Sequence, residues 1–393
     1  MLYIGIDIAK NKHDCFITNS KGKLLSDSFV VENSIKGFDA IYKKILFFEP
    51  NPSILNTKVG LEATGHYSNN IIDFFCKKNL KPVVFNPLHT NLYRKSLSLR
   101  KIKTDKSDAQ FITIMLKTED AKPYSPTSYH TSELKALSRN RFRLIKQCSR
   151  CKVALNRLLD IIFPELATIV SRVSQKSVIL TLLEVPNTKL IADCHLNRLT
   201  SLLAKNSNRM YGKNKAIEFR ELAKNSIGSN SAALAFELQQ TIRSILFFQN
   251  EIKILDEQIE RLVDEIDSPI MTIPGIAYTL SAMILSEIGD INKFDTPSKL
   301  LAFAGLEPST HQSGNYTATH NTMVKRGSKY LRWALMQAAR QVCMRSQAFA
   351  AYKAKKLAEG KHFFVALSHV SKKLLRVIFH LLKSGDFYTE QIG

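Results

Sequence analysis

The chain has 393 residues, of which 45% are hydrophobic and 23% charged, proportions typical of a globular protein with two or three domains. Lys and Arg outnumber Asp and Glu by 56 to 34, and the net charge of +22 indicates a polyanionic partner, with nucleic acid favoured over a membrane surface. The six scattered cysteines exclude a disulfide scaffold, and no apolar run reaches transmembrane length. The first ten residues show no leader pattern, so we expect a cytoplasmic protein.

The first 130 residues alternate strand and helix patterns. Residues 2–7 predict a strand that ends in an acid, and residues 19–22 predict a hairpin turn between two further strands. A helix is predicted for residues 34–48, and further strands are predicted for residues 58–62 and 82–85. This order of elements predicts an α/β domain whose sheet has strands of mixed direction.

The middle region, residues 131–268, has the pattern of long amphipathic helices. Apolar residues recur every seven positions in two segments, each with a second apolar row beside the first. The first segment has Leu137, Leu144, Cys151 and Leu158 beside Cys148, Leu155 and Ile162; the second has Ile245, Ile252, Ile259 and Ile266 beside Phe248, Leu255 and Leu262. These rows predict an antiparallel coiled coil, formed within one chain or between subunits.

The first of these helices carries two further patterns. Cys148 and Cys151 form a C-x-x-C pair, but both lie on the apolar stripe, so we expect them to pack in the core rather than bind zinc. Basic residues line a different face, which is either solvated or a track for phosphates. They are Arg139, Arg143, Lys146, Arg150 and Arg157.

The third region, residues 269–393, is predicted to be mainly α-helical and strongly basic. Residues 314–393 hold 14 Lys and Arg against three acids, which is half of the net charge of the chain. Residues 273–276 open a helix and resemble half of a helix–hairpin–helix, a turn whose backbone amides bind a DNA phosphate. In this region we predict nucleic-acid contacts from Lys325, Arg326, Lys329 and Arg332.

Four acids in the first region are placed where they can converge. Asp7 and Glu62 each close a predicted strand, and Asp105 and Asp108 share one face at a helix start because three positions separate them. Converging carboxylates repel unless cations lie among them, and hard oxygen ligands suit Mg²⁺ or Mn²⁺. Two such ions stabilise the attacking and leaving oxygens of a phosphodiester. Each acid alone is better explained as a strand-end cap, a solvated loop acid or a helix N-terminal charge, and only the four together favour a metal site.

Six stretches of the chain resemble the DEDD transposases of bacterial insertion sequences, the "IS one-ten" family. They are GIDIAK, GLEATG and KTDKSDA in the N-terminal part, and IPGIAYTLSAMILSEIGD, FAGLEPSTHQSG and KRGSKYLRWAL in the C-terminal part. Both groups follow the family order. The resemblance implies a ribonuclease-H-like (RuvC-like) domain over residues 1–130, similar to a Holliday-junction resolvase, whose metal-binding tetrad is Asp7, Glu62, Asp105 and Asp108.

The resemblance also implies a catalytic serine, here Ser313, in a C-terminal transposase domain. In the family this serine is thought to attack a DNA phosphate and hold it covalently, while the acidic site of another subunit completes the centre. The implied partners are donor and target DNA, a structured guide RNA encoded by the element, and further copies of the chain in a dimer or tetramer. From the residues alone, Ser313 is also explained as a polar turn serine, because no obvious base is adjacent to it.

Three other functions compete with a bacterial transposase. A structure-selective, metal-dependent DNA endonuclease would use the same four acids but needs no serine, so Ser313 discriminates between the two. An actin-like sugar kinase is suggested by GIDIAK alone and predicts later glycine-rich loops, whereas the 15 glycines of this chain are not clustered. A basic architectural protein without enzymatic activity would leave the four acids unexplained.

Overall fold

The computed structural model describes residues 1–62, 66–97, 105–118, 129–309, 312–313, 316–317 and 323–390. The side chains of residues 88, 89, 95, 97, 105–107, 129, 130, 312, 313, 316 and 317 lie outside this description. The chain forms two compact units, Met1–Pro126 and Thr127–Gly393. The finer division at residues 130 and 268 stays a prediction.

The N-terminal unit is built on a mixed five-stranded sheet. Its strands are β1 Leu2–Ile8, β2 Lys12–Asn19, β3 Leu24–Glu32, β4 Thr57–Glu62 and β5 Val83–Phe85. The order is β3-β2-β1-β4-β5, in which β1, β2 and β3 are antiparallel neighbours, β4 is parallel to β1 and β5 is parallel to β4. The predicted hairpin forms between β2 and β3, and Gly22 there has a φ of +77°, which glycine adopts without strain.

Helices cover both faces of this sheet. They are α1 Ile35–Phe48, α2 Asn69–Lys77, α3 Pro87–Leu97 and α4 Asp105–Thr118. Side chains of β1 alternate between the faces, so Ile4 and Ile6 pack with Phe38 of α1 and Phe75 of α2. On the opposite face, Tyr3 packs with residues of α4. The prediction of a mixed α/β domain followed by a mainly helical region is confirmed.

The C-terminal unit begins with a long antiparallel helix pair, α5 Tyr129–Ile162 and α11 Ala232–Ile266. Two salt bridges show the direction, because Arg141 near the start of α5 pairs with Asp256, and Arg157 near its end pairs with Glu237. Shorter helices connect the pair: α6 Leu166–Ile169, α7 Lys176–Glu184, α8 Thr188–Asp193, α9 Leu196–Asn206 and α10 Lys213–Lys224.

Part of the predicted apolar stripes lies in the core of this helical region. Leu155, Leu158 and Ile162 of α5 are buried against Ile245 of α11 and the connecting helices. Cys148 is buried among the same residues, and burial raises the pKa of its thiol. All six cysteines are free thiols. A buried thiol of raised pKa is an inert packing group rather than a reactive one.

The rest of the C-terminal unit is a compact helical cluster. Its helices are α12 Tyr278–Ile288, α13 Pro297–Ala304, α14 Lys329–Arg345, α15 Gln347–Ala358 and α16 Phe363–Ser384. Gly275 precedes α12 with a φ of +98°, and a Cβ on it would lie 2.8 Å from the Gln341 backbone of α14. A short antiparallel pair, β6 Gln312–Ser313 and β7 Tyr316–Thr317, lies between α13 and α14. Each described helix is too short or too polar to cross a bilayer.

Candidate active site and nucleic-acid surface

Three of the predicted acids line one cavity of the N-terminal unit. Asp7 lies near the end of β1 and Glu62 ends β4. These strands are parallel, with Ile6 in register with Leu61, so both acids reach the same edge of the sheet. Asp108, in the first turn of α4, completes an acidic cavity of about 460 Å³. We call this space, lined by Asp7, Glu62 and Asp108, the acidic cavity.

A glycine allows α4 to bring Asp108 to the strand ends. A Cβ on Gly5 would lie 2.2 Å from the Ala109 carbonyl oxygen, so no larger residue fits between β1 and α4. Ala109 follows Asp108 directly, and the close approach therefore positions this acid beside β1. Asp105 begins the same helix, but its side chain lies outside the described residues.

Helix α3 supplies partners for two of the acids. Arg94 Nη1 lies 2.9 Å from Asp108 Oδ1, and its Nη2 donates to Asn91 Oδ1 at 2.9 Å. Thr90 Oγ1 donates to Glu62 Oε2 at 2.6 Å. Sequence reasoning missed both residues, although their spacing of four positions was a signal, because it places them on one helix face.

A further acid lies opposite Asp7. Asp14 of β2 is its direct antiparallel partner in the sheet, and Asp14 is only 5% exposed. Directly opposed residues of an antiparallel pair point to the same face, so the two side chains are neighbours. This carboxylate was not among the predicted acids, because its position became evident only from the register of β1 and β2.

The chemistry of the acidic cavity suits a hard cation. Its donors are carboxylate oxygens, the ligands that Mg²⁺ and Mn²⁺ prefer. Among the described side chains, no three from Asp, Glu, His and Cys are close enough together to hold an ion as they stand. Among the described residues that line the cavity, the one Lys or Arg is Arg94, whose guanidinium pairs with Asp108.

Ser313 belongs to the C-terminal unit. It ends β6, whose partner is β7, and its side chain lies outside the described residues. Pro308 pairs with Met323 in an antiparallel bridge, and the Val324 amide donates to the Glu307 carbonyl at 3.0 Å. The chain that carries Ser313 therefore leaves and re-enters the helical cluster at one point.

The predicted basic residues of α5 differ in their surroundings. Arg139 donates to both carboxylate oxygens of Glu287, at 2.6 and 3.0 Å, and its guanidinium lies over the Tyr330 ring. Three others, Arg143, Lys146 and Arg150, are exposed, and none pairs with a carboxylate in the described part of the chain. Arg139 is therefore committed to an internal ion pair, whereas the other three face solvent.

Glu287 connects three segments of the C-terminal unit. Its side chain is 1% exposed, and it accepts hydrogen bonds from Arg139 of α5 and from Ser328 Oγ, at 2.7 Å. Ser328 also caps α14 by accepting from the Leu331 amide. Burial of a carboxylate is tolerated here because charged and hydroxyl donors surround it. Glu287 lies within the stretch IPGIAYTLSAMILSEIGD, but the sequence did not indicate that it forms an ion pair.

The predicted basic turn before α14 is exposed. Lys325, Arg326 and Lys329 all face solvent. Arg332 donates to the carbonyl oxygens of Ala304 and Lys325, at 3.3 and 3.1 Å, and so holds the turn against the end of α13. The turn therefore presents its cations on a structured backbone.

Two protein-family models match the chain. Residues 4–164 match a DEDD transposase model of the IS110 type, and residues 267–354 match the model described as the transposase IS116/IS110/IS902 family. Together they span more than half of the chain. The chain belongs to the IS110 family of transposases. The four predicted acids lie within the first match and Ser313 lies within the second.

Relatives of this transposase extend over its full length. It is 26% identical to the pilin gene-inverting protein of Moraxella lacunata, over 99% of this chain and 98% of that protein. It is 24% identical to an insertion element IS110 protein of Streptomyces coelicolor, over 76% of this chain and 77% of that protein. A 71-residue stretch, 18% of this chain and 19% of its relative, is 37% identical to the transposase of insertion sequence element IS1111A of Coxiella burnetii. The IS110-family chain is therefore an enzyme that acts on DNA.

Proposed function

We propose that this transposase cleaves DNA with the acids of the acidic cavity and rejoins it through a covalent intermediate on Ser313. The observation that carries the proposal is the convergence of Asp7, Glu62 and Asp108 on one cavity, with Asp105 at the start of the same helix as Asp108. Four carboxylates held close together repel each other unless a cation lies among them. A DNA phosphate at the same place adds further negative charge, which a cation would also offset.

The acidic tetrad would hold divalent metal, with Mg²⁺ or Mn²⁺ the expected ions. Bound there, such ions supply charge stabilisation at the attacking and leaving oxygens of the phosphodiester. Asp7 and Glu62 lie at one edge of the sheet, Asp108 lies in the first turn of α4, and Asp105 begins that helix. The hydroxyl of Thr90 donates a hydrogen bond to Glu62, and this bond favours one orientation of the Glu62 carboxylate.

Ser313 is the proposed nucleophile. Its hydroxyl oxygen would form a bond to a DNA phosphorus, while the bond to a deoxyribose oxygen breaks and that oxygen receives the proton. A hydroxyl of a second strand would then attack the phosphoserine ester and release the serine. The name of the Moraxella relative describes a gene inversion, and inversion requires rejoining, which favours this course over a nuclease that only cuts.

The proposed partners are donor and target DNA, a structured guide RNA and further copies of the chain. The exposed cations of α5 and of the turn at residues 325–329 support phosphate contacts. We assign α5 and α11 to an antiparallel coiled coil within one chain. Apolar side chains exposed on its outer face, such as Val153, Phe247 and Ile254, support assembly into a dimer or tetramer.

A covalent-capture experiment tests the proposal. Wild-type protein, incubated with labelled element-end DNA and Mn²⁺ and then denatured, should yield a protein–DNA adduct that is lost in Ser313→Ala. Ser309→Ala, a nearby serine of the same segment, is the matched control and should retain the adduct. If Ser313→Ala still cuts DNA as fast as the wild type and leaves free ends, the chain is a structure-selective endonuclease.

A mixing experiment tests whether the acids and the serine act across subunits. Neither Ser313→Ala nor Asp7→Asn should join strands alone. If one subunit's serine works with another subunit's acids, mixed oligomers of the two proteins should regain part of the wild-type activity. Absence of recovery in oligomers shown to be mixed would assign both groups to one subunit.

A further inference from the structure

Helices α14 and α16 enclose a large concave space in the C-terminal unit. Its volume is about 1150 Å³, above the range of about 300–1,000 Å³ typical of small-molecule pockets. Its walls combine cations, among them Lys325, Lys361 and Lys372, with the rings of Trp333 and Phe364. No acid occurs among the described residues that line it. We call this space the basic groove.

The cations of the basic groove outnumber the acids near them, of which Glu359 interacts electrostatically with Lys361 from outside the groove lining. Lys325, Lys361 and Lys372 form no ion pair within the described part of the chain. Lys372 is half-buried, and burial, followed by the charge of Arg376, lowers the pKa of its ammonium group. Burial, together with Lys372 and nearby lysines, also lowers the pKa of His369 in the same wall. Cations held together in this way favour a bound polyanion.

The aromatic wall indicates which kind of polyanion fits. Phe364 is 53% exposed. The ring of Trp333 packs edge-to-face against the ring of Phe142, with 5.0 Å between the ring centroids, and this contact holds Trp333 in position. Met336 and Val365 add further apolar surface to the groove lining. Bases of duplex DNA are stacked within the helix and cannot reach such a wall, whereas unpaired bases stack on aromatic side chains.

The basic groove lies at the base of the segment that carries Ser313. Pro308 and Met323, which pair with each other where that segment leaves and re-enters the cluster, both line the groove. A DNA strand attached at Ser313 would therefore have a cationic path along α14 and α16. This relationship favours the DNA strand undergoing exchange over other polyanions.

We propose that the basic groove binds an unpaired segment of the exchanging DNA strand, with phosphates on Lys361 and Lys372 and a base against Phe364 and Trp333. This inference rests on the proposed function, because it takes strand exchange as the source of unpaired DNA. It extends the predicted contacts of Lys325, Lys329 and Arg332, which also line the groove, by two further lysines and two aromatic rings.

The single tryptophan of the chain makes the test specific. A thymidine oligonucleotide of about 12 nucleotides, titrated into full-length protein, should quench Trp333 fluorescence, and the affinity should fall steeply with salt. Phe364→Ala should weaken binding at least about fivefold, the lower bound for loss of one stacked base. Phe387→Ala is the matched control, since Phe387 is exposed and does not line the groove, and it should bind as wild type.

A second pair of variants tests the phosphate contacts. Lys361→Ala should weaken binding. It should also reduce the slope of log K against log salt concentration by about 0.7, the value for one single-strand phosphate contact. Lys355 is an exposed lysine on α15 outside the groove, and Lys355→Ala should change neither the affinity nor its salt dependence. Equal losses in both lysine variants, or in both phenylalanine variants, would overturn the proposal. So would a uridine oligonucleotide that quenches Trp333 when thymidine does not, since RNA would then be the occupant.

The two proposals fail in different experiments. If thymidine oligonucleotides do not quench Trp333 but the wild type still forms the Ser313 adduct, the groove proposal is wrong and the proposed function stands. If the oligonucleotide quenches as predicted but no adduct forms, the groove binds single strands and the role of Ser313 is wrong.

Discussion

The guanidinium of Arg94 lies 2.9 Å from the carboxylate of Asp108 inside the acidic cavity. Asp7 and Glu62 line the same space, so a positive charge here reduces repulsion among the acids. A divalent cation bound by these acids would perform the same role with two charges. Arg94 and the metal are therefore expected to compete.

Replacing Arg94 should change metal affinity in a predictable direction. In Arg94→Gln the competing charge is gone, so we expect Mn²⁺ to bind at least about tenfold more tightly, measured by calorimetry or by electron paramagnetic resonance of free Mn²⁺. Arg94→Lys, which keeps the charge, should bind close to the wild-type value. Weaker Mn²⁺ binding in Arg94→Gln would mean that the arginine holds Asp108 in its binding position.

Removing one acid should separate binding from chemistry. In Asp7→Asn we expect strand joining to fall at least about 100-fold, because a metal ligand is lost, while DNA binding is unchanged or slightly tighter. Asp27→Asn, an exposed acid on β3, is the control and should join strands normally. Excess EDTA should abolish joining by the wild type, and full activity under that condition would rule out metal-dependent cleavage.

Arg139 should contribute to stability rather than to DNA affinity. Arg139→Ala leaves the buried carboxylate of Glu287 without its charged partner, so we expect a loss of about 3 kcal/mol in the free energy of unfolding. Arg143→Ala, four positions along α5, removes an exposed cation without a carboxylate partner and should leave stability unchanged. Denaturant unfolding measures both values.

The salt dependence of DNA binding separates the same two residues. If α5 lies along a phosphate track, Arg143→Ala should reduce the salt slope by about 0.9 for duplex DNA, and Arg139→Ala should not. A reduced slope in Arg139→Ala, with unchanged stability, would show that the ion pair with Glu287 opens when DNA binds.

His13 should make the N-terminal unit sensitive to mild acid. The side chain is fully buried on β2 and stacks on Phe38, and burial lowers its pKa from 6.5. Below pH 6.5 the unfolded chain binds a proton that the folded chain does not, so the free energy of unfolding should fall as pH decreases, by at most about 1.4 kcal/mol per pH unit.

His13→Phe should remove this pH dependence. The denaturant midpoint of this variant, compared between pH 7.5 and 5.5, should change less than that of the wild type, because the titrating group is gone. His380→Phe, at an exposed position, should keep the wild-type pH dependence. If His13→Phe and the wild type lose equal stability over this range, His13 is not the group responsible.

Local patterns in the sequence were sufficient to predict several helices and strands and the candidate metal-binding acids. A short apolar run predicted β1, the turn at residues 19–22 predicted the hairpin, and heptads predicted α5 and α11, because each of these patterns is contained within one short stretch of the chain. The spacing of Asp105 and Asp108 likewise predicted a shared helix start, which α4 provides.

Only the tertiary structure decided which residues meet across the chain. Arg94 reaches Asp108 because Gly5 lets α4 approach β1, and Arg139 meets Glu287 across 148 residues because α5 packs on α12. Periodicity cannot predict such pairs, since it reports the buried face of each helix and not the element packed against it. A salt bridge depends on the second element as much as on the first. Arg139 and Arg143 are therefore equivalent in sequence pattern, and only packing made one an internal ion pair and left the other exposed to solvent.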